Sequence, residues 1–138
     1  MKKILFIDEH RMEVQPIMDV LSEKYGEDAL VHIESSQMAL EFIAEYSQDI
    51  VAISLDILMP FDLLKDNNKK KQFELEGMAV LDVLHVKHHS IPVICYSWVN
   101  EPEIITKIES KGARYLYKPD DESYLDFISF LSEYYDNH

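Results

Sequence analysis

Five side chains in this sequence could together hold a cation and a phosphoryl group: Asp8, Glu9, Asp56, Ser97 and Lys118. Each closes or closely follows a short apolar run, and Asp56 shows the pattern most sharply. It ends the run Ile50, Val51, Ala52, Ile53, Leu55, and Pro60 stops the chain four residues later. A buried, unpaired carboxylate is costly, so an acid there stands either at the mouth of a crevice or beside a partner. Three carboxylates held close would repel one another and raise at least one pKa unless a cation sat among them. Oxygen ligands, few in number, suit Mg²⁺, which keeps several waters and pairs readily with phosphoryl oxygens. With such a metal, Asp56 stays ionised and can act as a nucleophile toward phosphorus. Ser97 can then donate to one phosphoryl oxygen and Lys118 balance another. Positioning with charge neutralisation is most of what phosphoryl transfer asks of a protein.

The elements that must bring these residues together are legible as an alternation. Apolar runs of strand length occur at 3–7 (KILFI), 29–33 (ALVHI), 50–55 (IVAISL), 92–97 (PVICYS) and 114–117 (RYLY). Between them lie amphipathic stretches of helical period. The first, 14–25, carries Val14, Ile17, Met18 and Leu21 on one face, with Pro16 tolerable in a first turn. The stretch 36–46 starts at a serine cap, 77–89 follows, 101–112 is capped by Asn100 and closed by Gly112, and 120–136 is the last. Strand and helix alternating in this way predict a parallel sheet covered on both faces. Its crossovers are right-handed, and ligands bind where the strands end at their carboxyl edge. Asp8 and Glu9 follow the first run, Asp56 ends the third, Ser97 the fourth, and Lys118 follows the fifth. The second run supplies nothing comparable, as expected of a strand at the sheet edge. The five residues are therefore expected to converge on one crevice.

Composition excludes several alternatives. A chain of 138 residues has the length of one ordinary domain, and 47% hydrophobic with 28% charged residues is globular rather than disordered. A net charge of −13, from 13 basic against 26 acidic residues, argues against binding nucleic acid. The single cysteine, Cys95, excludes an internal disulfide and reads as core filler in a strand. No stretch approaches the roughly 20 apolar residues of a membrane helix, and the apolar start is too short for a secretion signal, so a cytoplasmic location is expected. The histidines 85, 88 and 89 lack a carboxylate partner and read as a solvated helix face. With three glycines there is no phosphate-cradling loop.

Over essentially its whole length the sequence resembles the receiver domains of two-component response regulators. The matching pieces are ILFIDE with its paired acids, SLDILMP with an aspartate and the following proline, PVICYS ending in a hydroxyl, and GARYLYKP with a lysine and, three residues before it, Tyr115. The resemblance implies a flavodoxin-like, doubly wound sheet of five parallel strands in the order 2-1-3-4-5, flanked by five helices. It implies Mg²⁺-dependent phosphorylation at Asp56, with the metal held by Asp8, Glu9, Asp56 and the backbone carbonyl of Leu58. It also implies Ser97 and Tyr115 as switch residues, and relay from a histidine kinase or phosphotransfer protein. The expected organisation is one receiver-like domain over 1–138, with 61–76 an inserted loop.

Four features depart from the family's pattern: Glu9 where a second aspartate is commoner, Trp98 after Ser97 where a small residue is usual, Asp120 where a phenylalanine is frequent, and the loop. The expected function is a phosphoacceptor switch whose output is protein binding by the face of residues 100–136, to a downstream partner or a second copy, rather than an enzyme with turnover. A phosphoryl group would draw in Ser97 and let Tyr115 turn inward, and Trp98 would gate the pocket. In the last helix Tyr124, Ile128, Leu131 and Tyr135 are expected to face the core, with Phe127, Phe130 and Tyr134 widening the apolar arc to one side. The alternative is a receiver-shaped interaction module that is not phosphorylated.

Overall fold

The computed structural model describes residues 1–57 and 69–138, and of residues 69–75 the backbone alone. Five strands, β1 (Lys3–Ile7), β2 (Leu30–Ile33), β3 (Ile50–Leu55), β4 (Val93–Ser97) and β5 (Arg114–Tyr117), pair in parallel in the order β2-β1-β3-β4-β5. The expected order is the observed one. Every residue of β3 and β4 is buried, which is why IVAISL and VICYS show no polar alternation: both faces of a central parallel strand are covered.

The helices are α1 (Arg11–Tyr25), α2 (Ser36–Tyr46), α3 (Lys69–Lys87), α4 (Pro102–Ser110) and α5 (Asp121–Asp136), with a 3₁₀ turn at Glu27–Ala29 before β2. They divide by sheet face as the strand period of two dictates. Ile4, Phe6, Ile94 and Tyr96 pack with Val14, Ile17 and Leu21 of α1 and with Phe127 and Leu131 of α5. Leu5, Ile7, Ile53, Leu55 and Cys95 pack with Ala39 and Ile43 of α2, Leu81 and Leu84 of α3, and Ile108 of α4.

Several local expectations are corrected. α1 begins at Arg11, so Pro16 sits inside the helix rather than in its first turn. The bond Pro16 cannot donate would go to the Met12 carbonyl; both residues are exposed, and water can serve it. The α2 cap is Ser35, whose hydroxyl accepts from the Met38 amide at 3.2 Å. α4 is preceded by Glu101, not Asn100, at the cap position and opens on Pro102. Gly112 does follow its end, with φ +80°. In α5 the buried line is Ser123, Phe127 and Leu131, so Phe127 is core rather than flank, while Tyr124, Ile128 and Tyr135 pack at the margins. Arg114 lies over the Phe130 ring at 4.1 Å and donates to the Tyr134 hydroxyl at 3.0 Å, so much of the wide apolar arc is covered within the chain. Asp120 has a local task of its own: it caps α5, accepting from the Glu122 amide at 3.0 Å.

The stretch 61–76 is not loop to its end, because α3 begins at Lys69. Residues 61–68, with Leu58 and Pro60, lie outside the described residues. α3 meets the exit of β3 at Gly77, whose amide donates to the Ile57 carbonyl at 3.2 Å. A Cβ on Gly77 would stand 2.4 Å from both the Cα and the carbonyl oxygen of Ile57. Backbone cannot yield as a flexible side chain can, so Gly77→Ala should destabilise the protein by about 3 kcal/mol, the upper end of overpacking penalties. Urea unfolding measures this, and a loss within experimental error of zero would show that α3 can lift off Ile57 freely.

Candidate functional site

Register delivers the site. Ile7 of β1 pairs with Leu55 of β3, Leu55 with Cys95 of β4, and Ser97 with Tyr117 of β5. Residues 8, 56, 97 and 118 therefore leave the sheet side by side at its carboxyl edge. The ladder continues one residue past the strands: the Asp8 amide donates to Ile33 at 3.2 Å, Asp56 to Ile7 at 2.9 Å, and Lys118 to Ser97 at 2.9 Å. Each backbone is thus fixed before its functional side chain begins.

Three carboxylates surround one ammonium. Lys118 Nζ donates to Asp8 Oδ2 at 2.8 Å, Glu13 Oε1 at 2.9 Å and Asp56 Oδ2 at 3.2 Å. The Ser97 hydroxyl donates to the other oxygen of Asp56 at 2.8 Å. Asp8 Oδ1 accepts from the His10 amide at 2.7 Å. The charge that ends β3 is therefore buried and paired on both of its oxygens, which satisfies the requirement on a desolvated carboxylate. At the rim the indole N–H of Trp98 donates to Glu13 Oε2 at 2.6 Å, and its ring meets Tyr117 edge-on at 6.5 Å. Trp98 is half exposed. The Tyr115 hydroxyl donates to the Val99 carbonyl, with the Ser97 carbonyl at 3.4 Å, so this side chain lies against the connection from β4 to α4.

Burial and charge set the protonation of the group. Desolvation, followed by the neighbouring charge of Asp56, pushes the Asp8 carboxyl up to about 6 despite the opposing pull of Lys118. Burial would raise Glu13 as well, but its bond to Lys118 and that residue's charge outweigh burial and hold it below its ordinary value. Burial works against the Lys118 ammonium, yet Asp56 and Asp8 keep its pKa above the ordinary lysine value. Cys95 is pushed up by burial, which leaves an inert thiol.

The carboxylates of Asp8, Glu13 and Asp56 and the imidazole of His10 place ligand atoms within 4.8 Å of one another, the one such grouping among the described residues. Its oxygen donors are those a hard divalent cation takes, so the set fits Mg²⁺. A metal competes with the proton on Asp8. Below about pH 6 that carboxyl is largely protonated and above it charged, so affinity rises with pH and levels off. Calorimetric titration should give Mg²⁺ binding about tenfold weaker at about pH 5 than at about pH 7, the ratio one competing proton imposes. Equal affinities would remove Asp8 from the metal's ligands.

Of the residues expected from sequence, Asp8, Asp56, Ser97 and Lys118 meet. Glu9 is half buried and is not one of the four converging groups. Glu13 is, although it is not among the residues expected from sequence. Its signal was an acid four residues after Glu9, which enters the first turn of a helix once that helix starts at Arg11. Leu58 falls outside the described residues, and the histidines 85, 88 and 89 are not in the grouping.

No protein-family model matches the chain, and no curated protein matches its sequence. Solved structures do match, over nearly its whole length. A response regulator receiver domain protein (CheY-like) from Methanospirillum hungatei JF-1 superposes with TM-score 0.72 at 17% identity, covering 99% of this chain and 95% of that one. A response regulator receiver domain protein from Clostridium thermocellum gives 0.71 at 22% identity, covering 99% and 96%. The Francisella response regulator 1452 receiver domain gives 0.68 at 21% identity, covering 99% and 98%. The chain has the receiver-domain fold. Five parallel strands in the order 2-1-3-4-5 with five helices are that flavodoxin-like architecture. In this receiver fold the crevice at the carboxyl edge is the place where Asp8, Asp56, Ser97 and Lys118 stand. Among the described residues no helix is long and apolar enough to cross a membrane.

Proposed function

We propose that this chain is a phosphoacceptor switch of a His-Asp phosphorelay, modified at Asp56. The observation that carries the reading is the Asp56 carboxylate itself, buried at the end of β3 and held on one oxygen by the Ser97 hydroxyl and on the other by the Lys118 ammonium. A carboxylate oxygen of Asp56 attacks the phosphorus of a phosphohistidine on a histidine kinase or phosphotransfer protein. The P–N bond breaks, and the imidazole leaves and takes up a proton. Return to the resting form is hydrolysis: water attacks phosphorus, the acyl P–O bond breaks, and Asp56 and inorganic phosphate are released. Lys118 and Ser97 are placed to meet charge developing on the phosphoryl oxygens. Mg²⁺, held by Asp8 and Asp56, would neutralise the phosphoryl charge.

The output is a change in the protein contacts made by the 100–136 face, reached through Ser97 and Tyr115. Incubation with Mg²⁺ and acetyl phosphate followed by mass measurement tests the assignment. A chain that stays unmodified with excess donor and metal is the unphosphorylated interaction module instead.

Trp98 gates the pocket in this reading, because its indole is tied across the rim to Glu13 and water must reach phosphorus in line. Trp98→Ala should therefore shorten the lifetime of the acyl phosphate by about threefold. An unchanged lifetime would retire the gate and leave Asp56 as acceptor.

A further inference from the structure

Resting on that reading of Asp56, we propose that Glu13 is the positioning residue for Lys118, and that Trp98 clamps it in place. A lysine ammonium has three N–H donors, and in Lys118 all three are directed at carboxylates. A cation bound by Asp8 and Asp56 takes over two of those acceptors. Glu13 is the third, and it differs from the other two. Its side chain is 31% exposed against 2% and 3% for Asp8 and Asp56, so it belongs to the rim and not to the floor.

Held on Glu13, the ammonium keeps two N–H groups for phosphoryl oxygens within reach of Asp56. Released from it, a flexible four-carbon stem must be ordered again at each transfer, which costs side-chain entropy. Glu13 is itself held. One oxygen takes Lys118 and the other the Trp98 indole at 2.6 Å, while His10 Nδ1 stands 3.7 Å from the first. Trp98 follows Ser97 in the chain, and the Ser97 hydroxyl is on Asp56. The contacts therefore close a ring around the acceptor, from Asp56 to Ser97, along the chain to Trp98, across to Glu13, and back through Lys118. This gives Trp98 and Glu13 one joint task.

Wild type is compared with Glu13→Ala, Trp98→Phe and the double variant, each checked for an unchanged thermal transition. Trp98 is the only tryptophan, so in metal-free protein Glu13→Ala should shift its emission. An unchanged spectrum would mean the clamp does not exist in solution and would overturn the proposal. With saturating Mg²⁺ and acetyl phosphate, the rate of Asp56 modification should fall about tenfold in Glu13→Ala and about threefold in Trp98→Phe, modest values for misplacing a group near the reacting centre. The double variant should be no slower than Glu13→Ala, because residues acting as one unit are not additive. Mg²⁺ affinity should stay within about threefold of wild type, since a positioning group leaves metal binding largely intact.

Multiplying costs in the double variant would break the link between the two residues. Lost metal affinity with a retained saturated rate would make Glu13 a ligand instead. Either outcome overturns the proposal. Unaltered rates in all three variants overturn it too while leaving Asp56 as acceptor; an unmodified wild type removes the acceptor and this inference together.

Discussion

Replacing Asp56 by asparagine abolishes phosphoryl uptake from acetyl phosphate while leaving a folded protein. Asparagine keeps the shape, and its side-chain carbonyl can still accept the Ser97 hydroxyl, so the strand end loses little packing. What it lacks is the nucleophile, since an amide oxygen does not form the acyl phosphate. A drop of at least about a hundredfold in initial rate is expected, the scale on which removing a covalent nucleophile registers. A second readout accompanies it. The charge of Asp56 is the largest cause after burial of the raised Asp8 pKa, so in Asp56→Asn that carboxyl titrates below its wild-type value of about 6. Carbon-detected NMR titration of the aspartates reads this directly. Modification of the variant at the wild-type rate would move the acceptor to another residue.

The second large effect is on stability. Lys118→Met removes the one cation among the described residues that touches Asp8, Glu13 and Asp56 together. Breaking a buried ion pair from one side leaves charge without compensation, and about 3 kcal/mol of stability should be lost at neutral pH without divalent metal. The pH dependence has a definite sign. The folded pKa of Asp8 is raised above the ordinary aspartate value to about 6, so its ionisation destabilises the fold above about pH 6, and protonation relieves this as pH falls toward 4. Lys118 pulls the Asp8 pKa down, so without it that carboxyl takes up its proton at higher pH, and the deficit of Lys118→Met should shrink between neutral pH and about pH 5. Mg²⁺ should restore much of it at neutral pH, because a ligand binding only the folded state stabilises by mass action. Urea unfolding with and without Mg²⁺ at the two pH values tests this. A variant as stable as wild type without metal would mean that the carboxylates do not depend on Lys118.

Much of this was readable in the residues. The strands carry uninterrupted β-branched and aliphatic runs ended by a charge or a hydroxyl, and a parallel sheet fixes where such ends must lie. Strand order alone therefore brings Asp8, Asp56, Ser97 and Lys118 to one edge, where their side chains meet. Glu13 is hidden in the sequence because Pro16 suits a first turn, which sets the expected helix start at Val14. In the structure Pro16 and Met12 are both exposed residues, so water can serve the carbonyl left without its donor and the helix runs through. The early start of α3 was hidden for another reason: in KKKQFELE the apolar residues Phe73 and Leu75 are two apart, and no helical period appears before Gly77. In α5 the helical period alone centres the apolar stripe on Tyr124, Ile128, Leu131 and Tyr135. The buried line passes through Ser123, a small residue that hydropathy alone places outside.

The ammonium at the centre of the crevice is attached to the protein, and that has a consequence for how the crevice responds to its surroundings. A bound solvent ion can be dialysed away; a cation on a four-carbon tether cannot, and its effective concentration at the carboxylates is fixed by the length of that tether. Any free divalent ion therefore enters against an occupant that dilution never weakens, and its apparent affinity is what remains after displacing Lys118 from Asp8 and Asp56. The protein carries its own antagonist to the metal. Occupancy then follows the free Mg²⁺ level over a higher range than the bare carboxylates would give, so the crevice would register changes in that level instead of remaining saturated.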